Sequence, residues 1–185
     1  GAWSEVGLKL RNRSPWPRRV EVFDDLPDTF AFQDFFCMNY GEQWYEAMRA
    51  KDASRPILSA ESYTYYGSTP TFRNACVERN PWLDVLAHDW VMGSFLWAGI
   101  DYLGEATWPR IGSVSGLFYT TGFAKPKAHL LKSLWSDEPM VYLAVYEGDP
   151  NEQASYPWSS PALAESWTHP GKEGQTVDLA IYTTC

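Results

Sequence analysis

Residues 55–66 (RPILSAESYTYY) contain a short apolar run that stops at a carboxylate. The run, residues 57–60, is too short for a buried helix and has the length of a buried strand. Glu61 follows it directly and opens a loop of hydroxyl-bearing side chains. α/β barrels keep their catalytic groups at such C-terminal strand ends, so Glu61 is a candidate catalytic acid. The stretch alone leaves open that Glu61 caps a loop or forms a surface ion pair.

Helix and strand patterns alternate on both sides of this stretch. Residues 32–38 and 91–98 are strand-like apolar runs, and residues 42–51 and 124–135 have the spacing of amphipathic helices. The order of strand, helix and strand predicts parallel strands that are joined by crossover helices.

After residue 136 the pattern changes. Two strand-like runs, residues 140–146 and 177–182, are separated by a long loop rich in Pro, Ser and Gly. Two strands of this kind are typical of the opening of a β-sandwich, and they cannot close one by themselves.

Composition excludes several classes of function. The net charge of −8 argues against a nucleic-acid partner, because phosphate binding requires clustered Lys and Arg. No run of 18 apolar residues is present, so no membrane span is predicted. The three cysteines have no zinc-site spacing, and Cys37, inside an apolar run, is interpreted as a core residue. No metal and no cofactor is predicted.

Polar and aromatic side chains collect where the three predicted parallel strands end. They are Asn39, Tyr40, Glu61, Trp97, Asp101 and Tyr102. In a barrel these ends converge on one face. An indole that stacks on a ring, an amide that binds hydroxyls and a carboxylate at the anomeric carbon together suit a sugar. Taken singly, each residue is also compatible with an ordinary turn, core or surface role.

The pattern FLWAGIDYLGE at residues 95–105 resembles the last barrel strand of glycoside hydrolase family 2, the β-galactosidase and β-glucuronidase family. Residues 36–45 (FCMNYGEQWY) resemble the sixth barrel strand of the family, and residues 55–62 resemble its seventh. The resemblance covers about residues 32–147 and continues more weakly to the end.

The resemblance implies a fold and a set of site residues. The expected fold class is α/β: a partial TIM (β/α)8 barrel, strands six to eight, followed by an incomplete immunoglobulin-like β-sandwich. Residues 1–31 would be an unpatterned segment, residues 32–136 the barrel part and residues 137–185 the start of the sandwich. Glu61 would be the catalytic nucleophile, Asn39 and Tyr40 contacts to substrate and nucleophile, and Trp97 the ring-stacking residue.

The implied function is that of a retaining exo-β-glycosidase, β-galactosidase-like, which acts on a terminal β-linked sugar through a glycosyl-enzyme intermediate on Glu61. The acid/base of the family is the Glu of an Asn-Glu pair, and no such pair precedes Glu61. A full barrel takes about 250 residues. We therefore expect an internal piece of a larger enzyme, inactive alone. A secreted or periplasmic location is a family-level expectation.

Two other functions are compatible with the residues. A non-catalytic carbohydrate-binding module would use Trp97, Tyr102 and Trp108 as an aromatic platform. A structural segment without any ligand is the third interpretation.

Overall fold

The computed structural model describes residues 33–64, 80–150, 158 and 160–185. Its strands are β1 (Phe36–Asn39), β2 (Ile57–Ser62), β3 (Val91–Leu96), β4 (Tyr102–Leu103), β5 (Gly112–Ser113), β6 (Val141–Tyr146), β7 (Leu163–Ala164) and β8 (Leu179–Thr183). Its helices are α1 (Tyr45–Lys51), which a 3-10 turn over Glu42–Trp44 precedes, α2 (Pro81–Leu86) and α3 (Pro126–Trp135). The predicted mixture of helices and strands is confirmed.

The chain forms two compact units. Among the described residues, the first unit comprises residues 33–62 and 81–95, and the second comprises residues 63–64, 80, 96–150, 158 and 160–185. Each has its own sheet and its own core.

The first unit is a three-stranded sheet in the order β1-β2-β3. Strands β1 and β2 are parallel, as the sequence predicts, and α1 lies between them in the chain. Helix α1 has Glu46 in its first turn and Arg49 and Lys51 in its last turn, which is the favourable charge order for a helix dipole. The core of the unit is apolar and consists of Phe36, Tyr45, Met48, Ile57, Val85 and Val91.

The register of β1 and β2 contains a one-residue shift just before Glu61. Met38 is opposite Ser59, but the next residue, Asn39, is opposite Glu61, so Ala60 has no partner on β1. An extra residue of this kind bends a strand and changes the face that the following side chains take. Glu61 lies inside β2, whereas the sequence pattern placed it immediately after the strand.

The interpretation of Cys37 as a core residue was wrong, because its side chain is exposed. Successive side chains of a strand point to opposite faces. Phe36 occupies the buried face of β1, so Cys37 takes the other one.

The second unit contains an antiparallel sheet in the order β7-β6-β8. Helix α3 packs on β8 with Leu130, against Ala180 and Tyr182. The helix predicted at residues 124–135 is confirmed as α3. The pairs β4-β5 and β6-β7 were not predicted, because two-residue strands leave no alternating pattern. The partial barrel, the incomplete sandwich and the boundary at residue 137 remain predictions.

Candidate active site

Three of the four predicted site residues lie together at the ends of β1 and β2. Asn39 is the register partner of Glu61, and the backbone N–H of Tyr40 donates to the carbonyl oxygen of Glu61 over 2.7 Å. Tyr40 has a φ of 51°, a left-handed conformation that few aromatic residues adopt. All three side chains are half-buried. Neighbouring strand ends thus hold a carboxylate, an amide and a phenol in adjacent positions.

Hydrogen bonds fix the backbone on both sides of Glu61. The buried Ser59 hydroxyl donates to the Glu61 carbonyl over 3.2 Å. The Ser62 hydroxyl donates to the Phe95 carbonyl over 3.3 Å and lies 2.6 Å from the Ser94 hydroxyl. Either hydroxyl can be the donor in the second contact. The position of Glu61 therefore depends on both neighbouring strands.

Trp97, the fourth predicted site residue, lies in the second unit. Its indole N–H donates to the Tyr102 hydroxyl over 3.0 Å, and that hydroxyl donates to the Glu105 carboxylate over 2.5 Å. The rings of Trp97 and Tyr102 are nearly perpendicular, at 87°. The FLWAGIDYLGE motif thus links its own tryptophan, tyrosine and glutamate through side-chain hydrogen bonds.

Asp101 belongs to the same motif and forms a largely buried ion pair. Lys125 Nζ donates to Asp101 Oδ1 over 2.6 Å, and the two side chains are 10% and 11% exposed. The Gly116 N–H donates to the same oxygen over 3.0 Å. A Cβ on Gly116 would lie 2.2 Å from the Asp101 nitrogen, so a side chain there would displace the loop. Asp101 is a structural anchor of this loop.

Lys127 is a second buried cation near this anchor. Its Nζ donates to the Ser115 carbonyl over 2.8 Å. Burial, and then repulsion by Lys125, lowers the pKa of Lys127 to about 8.

Glu42 is a buried acid that the sequence analysis did not identify. It is 5% exposed, and its Oε1 has no hydrogen-bond partner in the part of the chain that the structure describes. Desolvation raises the pKa of Glu42 from 4.5 to about 7, and the nearby Asp84 adds to the shift. The sequence places Glu42 in the first turn of a helix, where acids are usually solvated, so no signal indicated its burial.

Within residues 33–64, 80–150, 158 and 160–185, no group of three or more His, Cys, Asp or Glu side chains could hold a metal ion. Over the same residues, no helix has both the length and the apolar character that a membrane crossing requires.

No family model matches the chain. A β-galactosidase of Bacteroides ovatus is 36% identical over 59 residues, which are 30% of this chain and 7% of that protein. A putative β-glucuronidase of Formosa agariphila is 26% identical over 121 residues, which are 60% of this chain and 10% of that protein.

Among solved structures, a glycosyl hydrolase family 2 member from Bacteroides cellulosilyticus superposes with a TM-score of 0.72 and 26% identity. The match covers 89% of this chain and 22% of the other, so the chain spans less than a quarter of the length of these relatives. The matched solved structure is a family 2 member, and the sequence relatives are a β-galactosidase and a putative β-glucuronidase. The resemblance of this chain to glycoside hydrolase family 2, which its motifs predict, is therefore confirmed.

Proposed function

We propose that this chain contributes the catalytic nucleophile, Glu61, to a retaining exo-β-glycosidase of the β-galactosidase type. The observation that carries the proposal is the pairing of Asn39 with Glu61 and the hydrogen bond from the Tyr40 N–H to the Glu61 carbonyl. These backbone contacts are consistent with one site, because the three residues occupy adjacent positions at the ends of adjacent parallel strands. The matched proteins carry the names β-galactosidase and putative β-glucuronidase, which supports a β-glycosidase.

Each residue has a distinct role in the proposed reaction. The Glu61 carboxylate attacks the anomeric carbon and forms an ester with the sugar, while a second carboxyl protonates the leaving oxygen. The second group then takes a proton from a water molecule, which attacks the anomeric carbon, breaks its bond to the Glu61 oxygen and releases the sugar and the Glu61 carboxylate. The Asn39 amide binds a sugar hydroxyl, and Tyr40 orients the nucleophile.

The second carboxyl belongs outside this chain in our proposal. A retaining enzyme needs it about 5–5.5 Å from the nucleophile. The sequence before Glu61 lacks the Asn-Glu pair in which the family carries it. We therefore expect no turnover of a nitrophenyl β-galactoside by this chain alone, and measurable turnover would refute that expectation.

The fold that accompanies this function is the end of a TIM barrel and the start of a β-sandwich. The parallel pairing of β1 and β2 around α1 supports the barrel strands. The separate antiparallel sheet β7-β6-β8, whose strands all follow residue 136, supports a different fold in this part of the chain.

Trp97 is the proposed ring-stacking residue, by its place in the matched motif. The competing function, an aromatic platform, is less well supported, because the Trp97 and Tyr102 rings stand at 87° and offer no common plane.

The decisive experiment is a covalent trap in the complete enzyme that contains this chain. A 2-deoxy-2-fluoro-β-galactoside with a good leaving group should label the peptide that contains Glu61, as mass spectrometry would detect. The substitution Glu61→Gln should reduce kcat on the order of 10⁴-fold or more and abolish labelling. The matched control is Glu138→Gln, at an exposed acid near Lys132. Labelling of another acid, or full activity of the Glu61 variant, would overturn the proposal.

A further inference from the structure

The Tyr102 hydroxyl connects two other side chains of the motif. It accepts the Trp97 indole N–H at 3.0 Å and donates to the Glu105 carboxylate at 2.5 Å. The phenol has one proton, which it donates in the hydrogen bond to Glu105, so a lone pair of its oxygen accepts the indole N–H. Because the acceptor is a carboxylate, the bond is of the stronger, charge-assisted type. The direction of both hydrogen bonds, from Trp97 to Tyr102 and from Tyr102 to Glu105, is therefore determined.

The backbone of the loop holds this chain of hydrogen bonds in place. Tyr102 pairs with Ser113 between β4 and β5, and the Gly104 N–H donates to the Ile111 carbonyl over 3.0 Å. Gly104 and Glu105 both have positive φ values, 93° and 46°. Two successive left-handed residues turn the chain back, so that the Glu105 carboxylate reaches the tyrosine three residues earlier. A glutamate in this conformation costs free energy, so the surrounding contacts must hold it there.

The arrangement determines what Trp97 can offer a ligand. An indole has a single hydrogen-bond donor, and in Trp97 that donor is already engaged. The residue can then contact a sugar through its ring face, by stacking, and not through its N–H.

We propose that Tyr102 and Glu105 are positioning residues that orient the Trp97 indole for stacking on the substrate sugar. The inference rests on the proposed function, in which Trp97 contacts the sugar. Neither residue touches the reacting atoms, so their loss should weaken substrate binding and spare the chemical step.

The test uses Tyr102→Phe and Glu105→Gln in the complete enzyme. Tyr102→Phe removes the indole acceptor and should raise KM about threefold to tenfold, the effect of one lost hydrogen bond, with kcat nearly unchanged. Glu105→Gln retains an acceptor for the phenol and should raise KM less.

A spectroscopic signal reports on the hydrogen bond itself. In 15N-tryptophan-labelled enzyme, the indole N–H resonance of Trp97, identified by its loss in Trp97→Phe, should move in Tyr102→Phe. The matched control is Tyr142→Phe, which removes a phenol that donates to Glu165 over 2.8 Å. In the control, the Trp97 resonance and KM should stay at their wild-type values.

The outcomes separate this inference from the proposed function. An unmoved Trp97 resonance in Tyr102→Phe, or a moved resonance with unchanged KM, would overturn the positioning role. A drop in kcat with unchanged KM would overturn it as well. None of these results depends on Glu61, whose role is tested separately by Glu61→Gln and the covalent label.

Discussion

Glu42 in the first unit and Asp101 in the second are both acids with little solvent exposure, at 5% and 11%, but their surroundings differ. Asp101 lies 2.6 Å from Lys125 and accepts a backbone N–H from Gly116. Glu42 has Asp84 as a charged neighbour, which is repulsive, and its Oε1 lacks a partner among the described residues. Burying a charge is costly unless it is paired. The comparison shows that the second unit uses a buried acid as an anchor, whereas the first unit holds one that favours its protonated form.

The largest effect should follow from breaking the paired acid. The substitution Asp101→Ala leaves the Lys125 ammonium, 10% exposed, without its counter-ion. Such a loss typically costs about 3–5 kcal/mol in free energy of unfolding. Urea unfolding of the complete enzyme at pH 7, followed by tryptophan fluorescence, measures it.

The double variant Asp101→Ala with Lys125→Met is the control for that experiment. It removes both charges, so it should recover a large part of the lost stability. A cost below about 1 kcal/mol for Asp101→Ala alone would mean that the ion pair does not anchor the loop.

Neutralising the unpaired acid Glu42 should raise the stability of the protein, whereas breaking the Asp101 ion pair should lower it. The pKa of Glu42 is raised from 4.5 to about 7, so between these values the folded state keeps a proton that the unfolded state releases. Stability of the wild type therefore falls as the pH rises through this window and levels off above it. Glu42→Gln is neutral at every pH, and at pH 8 it should be more stable than the wild type by about 3 kcal/mol.

Unfolding curves at pH 4.5, 6 and 8 measure this difference. Near pH 4.5 the two proteins should be close in stability, because Glu42 is then largely protonated in the folded state. An unchanged pH dependence in the Gln variant would show that Glu42 is not the group responsible.

The sequence predicted the helices and strands better than the register of paired strands and the partners of charged side chains. Apolar runs and helical spacing predicted the main strands and helices. The parallel arrangement of β1 and β2 was predicted from the helix between them. The extra residue Ala60 could not be predicted, since register depends on the partner strand. Lys125 is distant from Asp101 in the chain, and a charge in sequence does not reveal its partner. The burial of Glu42 could not be predicted either, because burial depends on tertiary packing.

The smallest effect should come from an exposed acid in the first turn of α1. Glu46 is 77% exposed and lies 2.8 Å from His88 Nε2. The pKa of His88 is raised, first by its bond to the Asp84 carbonyl and also by Glu46. The stability that protonated His88 contributes is fully present below its ordinary pKa of 6.5 and is lost as the pH rises through the folded value.

Glu46→Gln should therefore lower stability only at acidic pH, by less than about 1 kcal/mol, because solvent screens the pair. An NMR titration of His88 should show its pKa falling toward the ordinary value. A larger loss of stability, or a loss that persists at pH 8, would mean that the exposed Glu46 affects stability as strongly as the less exposed acids do.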